Sequence, residues 1–312
     1  MTLRAIALAA FGLCVASLAY VFTSVDDSAR APAAPRAPPG TSLIAAAPAP
    51  RMNVPHAPIE MRPAATPWSA QDAPSIVAQR WQAAADKREF YEHALRTGGG
   101  AYLHFAGKAL AQCGAVNRLG VIGAEQRFGQ THRANDPTLP RRIEAFRASI
   151  AGCDGFEDRA VGSDEEAAIY QRLLSAGDLV GRIYANKLWA LTAARNDEAR
   201  ATLVQALDSR DPEVLVLVYP AIVAREFASR AGEKAPDDMQ DELDAWRWAL
   251  CELGADCGPA SPYGRSLCTG RGLCDWERID EVAERAFPGA TSERKHAIVA
   301  EVLAGDWSKL GL

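Results

Sequence analysis

Eleven of the 19 prolines in this 312-residue chain fall between Asp26 and Pro74. No other feature constrains the fold more. Proline removes a backbone donor and fixes φ, so neither a helix interior nor a central strand tolerates such density. The prolines alternate with alanine, as in Ala31-Pro32-Ala33-Ala34-Pro35, Ala37-Pro38-Pro39-Gly40 and Ala45-Ala46-Ala47-Pro48-Ala49-Pro50. Alanine offers little area to bury, so nothing here drives core formation. Residues 26–74 read as a disordered, semi-extended linker, partly polyproline II, with a reach of up to roughly 150 Å at about 3.1 Å per residue. Whatever the chain folds into is left to residues 75–312.

The linker follows an apolar run. Ala5 to Phe22 carries no charge, Arg4 precedes it, and Asp26 and Asp27 close it. Residues 1–25 therefore read as a signal anchor or a signal peptide, with the remainder facing outward. The run is long for a signal core and short for a membrane span. A buried core helix is the third reading. Small residues at Ser17-Leu18-Ala19 would permit cleavage, but Leu13 before Cys14 does not fit a lipoprotein site.

The composition of the whole chain is globular: 48 % hydrophobic and 23 % charged, with 34 basic against 39 acidic side chains. That excludes a polytopic membrane protein and a wholly disordered chain. The net charge of -5 argues against nucleic acid as a partner. Helix signals then follow one another. Ser75 starts a helix carrying Val77, Trp81, Ala84, Tyr91 and Leu95, interrupted by Arg88 and stopped by Gly98-Gly99-Gly100. A second runs from about Ala101 to Cys113. Ser163-Asp164-Glu165-Glu166 forms a capping box for a helix ending near Gly177. Asp178 caps a helix with Val180, Tyr184, Leu188 and Leu191, and Asp211-Pro212 opens another. Two more fill Asp237 to Leu253 and Thr291 to Leu303. Val214 to Val223 is apolar throughout and contains Pro220. Its capped start favours a central helix, while periodicity alone leaves a buried strand open. The expectation is all-α: antiparallel helical hairpins packed as a bundle or short superhelix and stapled by disulfides.

Cys14 lies in the apolar run, which leaves six cysteines. In an exported chain an even number points to disulfides. Cys113 and Cys153 stand apart from the other four and are expected to pair around a Gly-, Arg- and Pro-rich loop. Cys251, Cys257, Cys268 and Cys274 form a C-x5-C-x10-C-x5-C cluster in the Cys-rich subregion 246–276. Three connectivities exist; Cys251–Cys274 with Cys257–Cys268 would cross-link two helix ends. A four-thiolate zinc site is the alternative, though five-residue gaps suit it poorly. No C-x-x-C pair suggests an oxidoreductase.

Two resemblances bear on location and fold. Trp248-Ala249-Leu250-Cys251-Glu252-Leu253-Gly254-Ala255-Asp256-Cys257-Gly258-Pro259, followed by Cys268 and Cys274, resembles the C-terminal region of uncharacterised proteobacterial proteins predicted to be exported. The resemblance spans about 30 residues. It implies a helical envelope protein and brings no activity with it. Separately, Tyr91, Leu95, Gly98, Phe105, Ala106 and Lys108 recur 79 residues later as Tyr170, Leu174, Gly177, Tyr184, Ala185 and Lys187. Each copy reads as a helix, a glycine turn and a returning helix, similar to tetratricopeptide-like hairpins but with a longer offset.

Chemistry is sparse. No G-x-S-x-G, H-E-x-x-H or Walker A pattern occurs. His93 and His104 could face each other across the first hairpin, with Glu89 one turn before His93, and are the weak catalytic or metal candidates. Trp246 and Trp248 cannot share one helix face, so one is a candidate partner anchor. Arg271, within Cys268-Thr269-Gly270-Arg271-Gly272, could meet an anion or merely sit in a turn. No cofactor and no metal is expected. The expected role is an interaction or scaffold module, in the bacterial inner membrane facing the periplasm, that contacts the membrane through its N-terminal helix and binds a protein or cell-wall partner. Two alternatives stand beside it. One is an exported hydrolase near His93 and His104, and the other a secreted or periplasmic protein after signal cleavage.

Overall fold

A computed structural model describes residues 67–117, 119–132, 135–156, 163–191, 196–229, 236–305 and 307. The apolar run and most of the linker lie outside the described residues. Among the described residues there is no strand. The helices are α1 (Pro74–Ala83), α2 (Lys87–Thr97), α3 (Gly100–Asn117), α4 (Gly120–Thr131), α5 (Leu139–Ser149), α6 (Ser163–Ser175), α7 (Leu179–Ala185), α8 (Asp197–Ser209), α9 (Pro212–Ser229), α10 (Pro236–Glu252), α11 (Pro262–Arg271), α12 (Ala283–Ala286) and α13 (Ser292–Ala304). The all-helical, disulfide-stapled fold is the one the sequence implies.

The 79-residue repeat corresponds to two real hairpins, α2–α3 and α6–α7, which pack on each other through α3. Gly98 and Gly177, the matched glycines, both take positive φ, 67° and 70°, where a side chain is strained. The match ends at the last pair: Lys108 continues α3, whereas Lys187 lies beyond the end of α7 at φ 54°. The helix expected to run through Leu188 and Leu191 is therefore short.

Two aspartates tie helix starts together across the fold. Asp178 Oδ1 accepts from the backbone N–H of Gly181, 2.8 Å away, and caps α7. Its other oxygen accepts from the N–H of Gly100 at the start of α3. Gly100 has no room for a side chain: a Cβ there would overlap the Asp178 carboxylate and lie 2.8 Å from the Gly181 nitrogen. Asp211 repeats the arrangement. Its Oδ1 accepts from Glu213 N at 2.9 Å and caps α9, while Oδ2 accepts from Ser75 N at 3.1 Å in the first turn of α1. Each carboxylate thus satisfies orphan donors of two helices whose positive ends converge on it.

Two apolar cores follow from this arrangement. The first surrounds α3 and includes Trp81, Phe90, Tyr91, Tyr102, Phe105, Leu110, Phe146 and Phe156. Trp68, in the stretch read as linker, packs against it, with ring centroids 5.4 Å from Phe90 and 5.2 Å from Tyr102. The second surrounds α9. Val214 to Val223 is helical, and α9 runs through Pro220. Val214, Leu215, Val218, Ala221, Ile222 and Val223 are all essentially inaccessible, and Val216, Leu217 and Pro220 between them are half-buried, so the helix covers its apolar run by packing and needs no strand partner. A buried ion network joins α9, α10 and α13. Arg294 donates to both Glu242 oxygens, through Nε at 2.9 and 3.0 Å, and to Glu226 through Nη2 at 3.0 Å.

Several expectations need correction. The first long helix is two, because Ala84 is extended (ψ 117°) and Asp86 caps a new helix by accepting from Arg88 N and Glu89 N. The Gly-, Arg- and Pro-rich Cys113–Cys153 loop, for which no helix was expected from the sequence, contains α4 and α5, with Phe128 stacked on Phe146 at 4.4 Å. The disulfide itself forms as expected, with both cysteines fully buried. Closing 40 residues, it constrains the unfolded chain by about 4 kcal/mol in the chain-entropy model. The C-terminal bridges do not cross. They are Cys251–Cys257 and Cys268–Cys274, each local. In both, the first cysteine lies in the last turn of a helix, and a left-handed glycine, Gly254 (φ 104°) or Gly272 (φ 69°), turns the chain back. Ala255 N donates to Leu250 O and Leu273 N to Leu267 O, closing helix ends of six and seven residues that bring the second cysteine onto the first.

Two stability effects follow. Asp178→Ala removes caps from two helices and is expected to cost about 2–3 kcal/mol in urea unfolding; Asp178→Asn, which keeps one acceptor, should lose about half of that. Lys87 is buried with its Nζ 4.3 Å from the Trp81 ring centroid and donating to Trp81 O at 2.5 Å. Burial first, then the charge of Arg265, pushes its pKa from 10.5 down to about 8. Below pH 8 the ammonium is charged in both states, so its burial penalty is fully present. Between about pH 8 and 10.5 the folded chain has released a proton that the unfolded chain keeps, and the penalty fades. Stability should therefore rise across that window by about 1–2 kcal/mol relative to a Lys87→Met variant, a figure discounted for residual solvent screening.

Candidate functional site

The C-terminal helices build an open cleft of about 720 Å³. The end of α10 supplies Trp248, Cys251 and Glu252; the turn after it supplies Asp256 and Cys257; the stretch 276–280 supplies Trp276 to Asp280; and α13 supplies Lys295 and His296. The local fold makes the site rigid. The Cys251–Cys257 bridge ties the turn back to α10, and Cys268–Cys274 does the same after α11. Leu267, Leu273, Trp276, Val282 and Phe287 form a third small core beneath.

Trp248 is held at three points. Its ring stacks on Phe287, with centroids 5.9 Å apart and planes within 8°. Its Nε1–H donates to Asp280 Oδ1 at 2.9 Å. Lys295 Nζ lies 4.7 Å from the ring centroid and pairs with Glu252 Oε2 at 2.8 Å. The Trp248 hydrogen bond first, then the Arg278 guanidinium and the Lys295 charge, hold Asp280 below the usual carboxylate range, so it is ionised at neutral pH. Arg278 Nη2 lies 3.3 Å from Asp280. Two of the four lining carboxylates are thereby engaged by lining cations. Asp256 and Glu277 have no ion-pair partner among the described residues, which leaves the cleft with an excess of negative charge.

The remaining sequence candidates are dispersed. Trp246 is 1 % exposed and belongs to the second core, not to a docking surface. Its neighbour Trp248 is the one that reaches the cleft. Arg271 Nη1 donates to the carbonyls of Arg285 and Ala286, at 3.1 and 2.8 Å, and so finishes α12. His93 and His104 do not share a contact. His93 lies against Trp68 with ring centroids 3.8 Å apart, and burial lowers its pKa. His104 Nδ1 shares a 2.6 Å hydrogen bond with the Tyr184 hydroxyl, and burial holds its pKa well below the ordinary histidine value, so it is neutral. Glu89 is exposed in the first turn of α2. All six cysteines are bridged, which leaves no thiolate set for zinc. Among the described residues no group of three or more His, Cys, Asp or Glu converges for a metal, and no helix is long and apolar enough to cross a membrane.

Sequence reasoning missed Lys295, Asp256, Glu277 and Asp280. The glycine three or four residues after each helical cysteine was the signal for the local bridges. Nothing in the sequence indicated that α13 would approach the end of α10. Compared with known proteins, the chain matches no family model, no curated protein and no solved structure.

Burial grades the disulfides. Cys113 and Cys153 are inaccessible, whereas Cys251 and Cys257 line the cleft and are partly exposed. Under limiting dithiothreitol without denaturant, alkylation and peptide mapping should find Cys251 and Cys257 modified first and Cys113 and Cys153 protected. Equal rates for all six would contradict this geometry.

Proposed function

We infer that the folded domain is a non-catalytic interaction module of the cell envelope. The Trp248 cleft is the surface that meets the partner. Its excess carboxylates carry this reading: Asp256 and Glu277, beside a fixed tryptophan on a disulfide-braced corner, suit a basic segment of a protein or of the cell wall. The three disulfides fit an oxidising compartment outside the cytosol. The apolar run Ala5–Phe22 supplies the route there, as anchor or as cleaved signal. The Pro/Ala linker then sets the distance from the membrane. The weak likeness of the Cys-rich segment to exported proteobacterial proteins points the same way.

Quantitative affinity capture from detergent-solubilised envelopes tests the reading. The full chain should enrich a specific partner, and Glu277→Lys combined with Asp256→Lys should reduce that enrichment at least tenfold while circular dichroism stays unchanged. Equal recovery by both chains would refute the role of the cleft.

A second reading, an exported hydrolase, draws on one observation, the His104–Tyr184 hydrogen bond at 2.6 Å. Lys108 on α3 and Glu213 on α9 sense each other's charge beside it. If His104→Gln keeps partner capture intact yet fails to complement a strain lacking the chain, the function moves to that site.

A further inference from the structure

Arg247 on α10 has donors to spare. Its Nε donates to the Tyr219 hydroxyl on α9 at 2.8 Å, and Nη1 lies 3.4 Å from Asp244 Oδ1, at the outer limit of a hydrogen bond. Nη2 makes no hydrogen bond among the described residues. Asp244 has little more to give. Its side chain is 2 % exposed, and the same Oδ1 already accepts from Gln240 Nε2 at 3.0 Å. The Arg247 side chain is 38 % exposed, so a solute can reach its free edge. Tyr263 on α11 stands beside it. The Tyr263 ring is half-buried and stacks on Phe287, with centroids 6.1 Å apart and planes within 9°. Its hydroxyl has no hydrogen-bond partner among the described residues. Burial raises its pKa, so it remains a donor at neutral pH. The charges of Arg247 and Arg271 act together on Tyr263 and on Asp244. Arg271 gives Nη1 to two backbone carbonyls and has no ion-pair partner among the described residues. Two guanidinium groups thus share one carboxylate, which leaves the cluster one positive charge in excess.

We propose that Arg247, Tyr263 and Arg271 form a binding site for a carboxylate group. None of the three lines the Trp248 cleft, so the site is a second one and does not depend on how the cleft is read. The carboxylate lies in the plane of the Arg247 guanidinium and accepts from its Nη1–Nη2 edge, the fork geometry that suits two parallel hydrogen bonds. The Tyr263 hydroxyl donates to one of its oxygens, and Arg271 supplies the second positive charge. A single negative charge balances the excess, which favours a carboxylate over a dianion such as phosphate. Two sources share this chemistry, a small organic acid and the C-terminus of a peptide.

Saturation-transfer NMR on the full, detergent-solubilised chain tests this, with benzoate as the probe and benzamide as its uncharged counterpart. Benzoate should receive saturation from the protein and benzamide at least fivefold less. Acetate should displace benzoate in a saturable manner, while chloride at matched ionic strength should not. Arg247→Gln should lower the benzoate signal at least fivefold with circular dichroism unchanged. Tyr263→Phe, which removes only the hydroxyl, should lower it about twofold and guards against a misfolded arginine variant. Equal signals from benzoate and benzamide, or a signal that survives both substitutions, would overturn the site. Displacement by inorganic phosphate at lower concentration than by acetate would overturn the assignment to a carboxylate. N-acetyl-Ala-Ala and its C-terminal amide decide the source. If the free acid displaces benzoate at least tenfold more effectively than acetate and the amide does not, the site takes a peptide terminus; equal displacement by the free acid and acetate assigns it to a small organic acid.

Discussion

Two carboxylates each finish two helices, and the rest of the fold is arranged around them. Asp178 caps α7 with one oxygen and takes the first N–H of α3 with the other. Asp211 caps α9 and also accepts from the start of α1. Four helix N-termini, each with unsatisfied donors and partial positive charge, are thereby brought together in pairs. Their convergence sets α3 and α9 as the two central helices. The close approach also explains the glycine at position 100, where any side chain would displace the carboxylate.

From α9 the organisation passes to the C-terminal corner through charge. The Arg294 guanidinium sits between Glu226 and Glu242, whose side chains are only 4 % and 6 % exposed. A carboxylate this deep is costly without a cation, so α9, α10 and α13 are held in mutual register. That register carries Lys295, the next residue on α13, to the end of α10, where it meets Glu252 and the face of Trp248. The cleft is thus a consequence of a buried ion network anchored on the neighbouring residue of α13, and the two local disulfides brace its walls.

Much of this was readable in the chain. The helix starts at Asp178 and Asp211, the glycine turns at Gly98 and Gly177, the central helix over Val214 to Val223 and the Cys113–Cys153 bridge all follow from local pattern. Other features were not. The helices α4 and α5 were hidden in a stretch dense in Gly, Arg and Pro, because their stability comes from Phe128 packing on Phe146 and not from propensity. The C-terminal pairing was misjudged because spacing alone does not reveal that each helix ends in a left-handed glycine. Of the two neighbouring tryptophans, sequence predicted that they would take different helix faces but not which one would reach a surface. The core around α9 decides this by taking Trp246.

By itself, the sequence determined the elements: where proline density forbids a core, where an aspartate can cap, where glycine can reverse the chain, and that six cysteines await partners. Those choices depend on residues within a turn of each other. Only the tertiary structure decided what the second oxygen of Asp178 and of Asp211 would bind, and which carboxylates of the cleft would be left without a cation. Both depend on groups brought together across 78 and 136 residues in one case and across three helices in the other. Electrostatic pairing acts through space, and no local pattern encodes it.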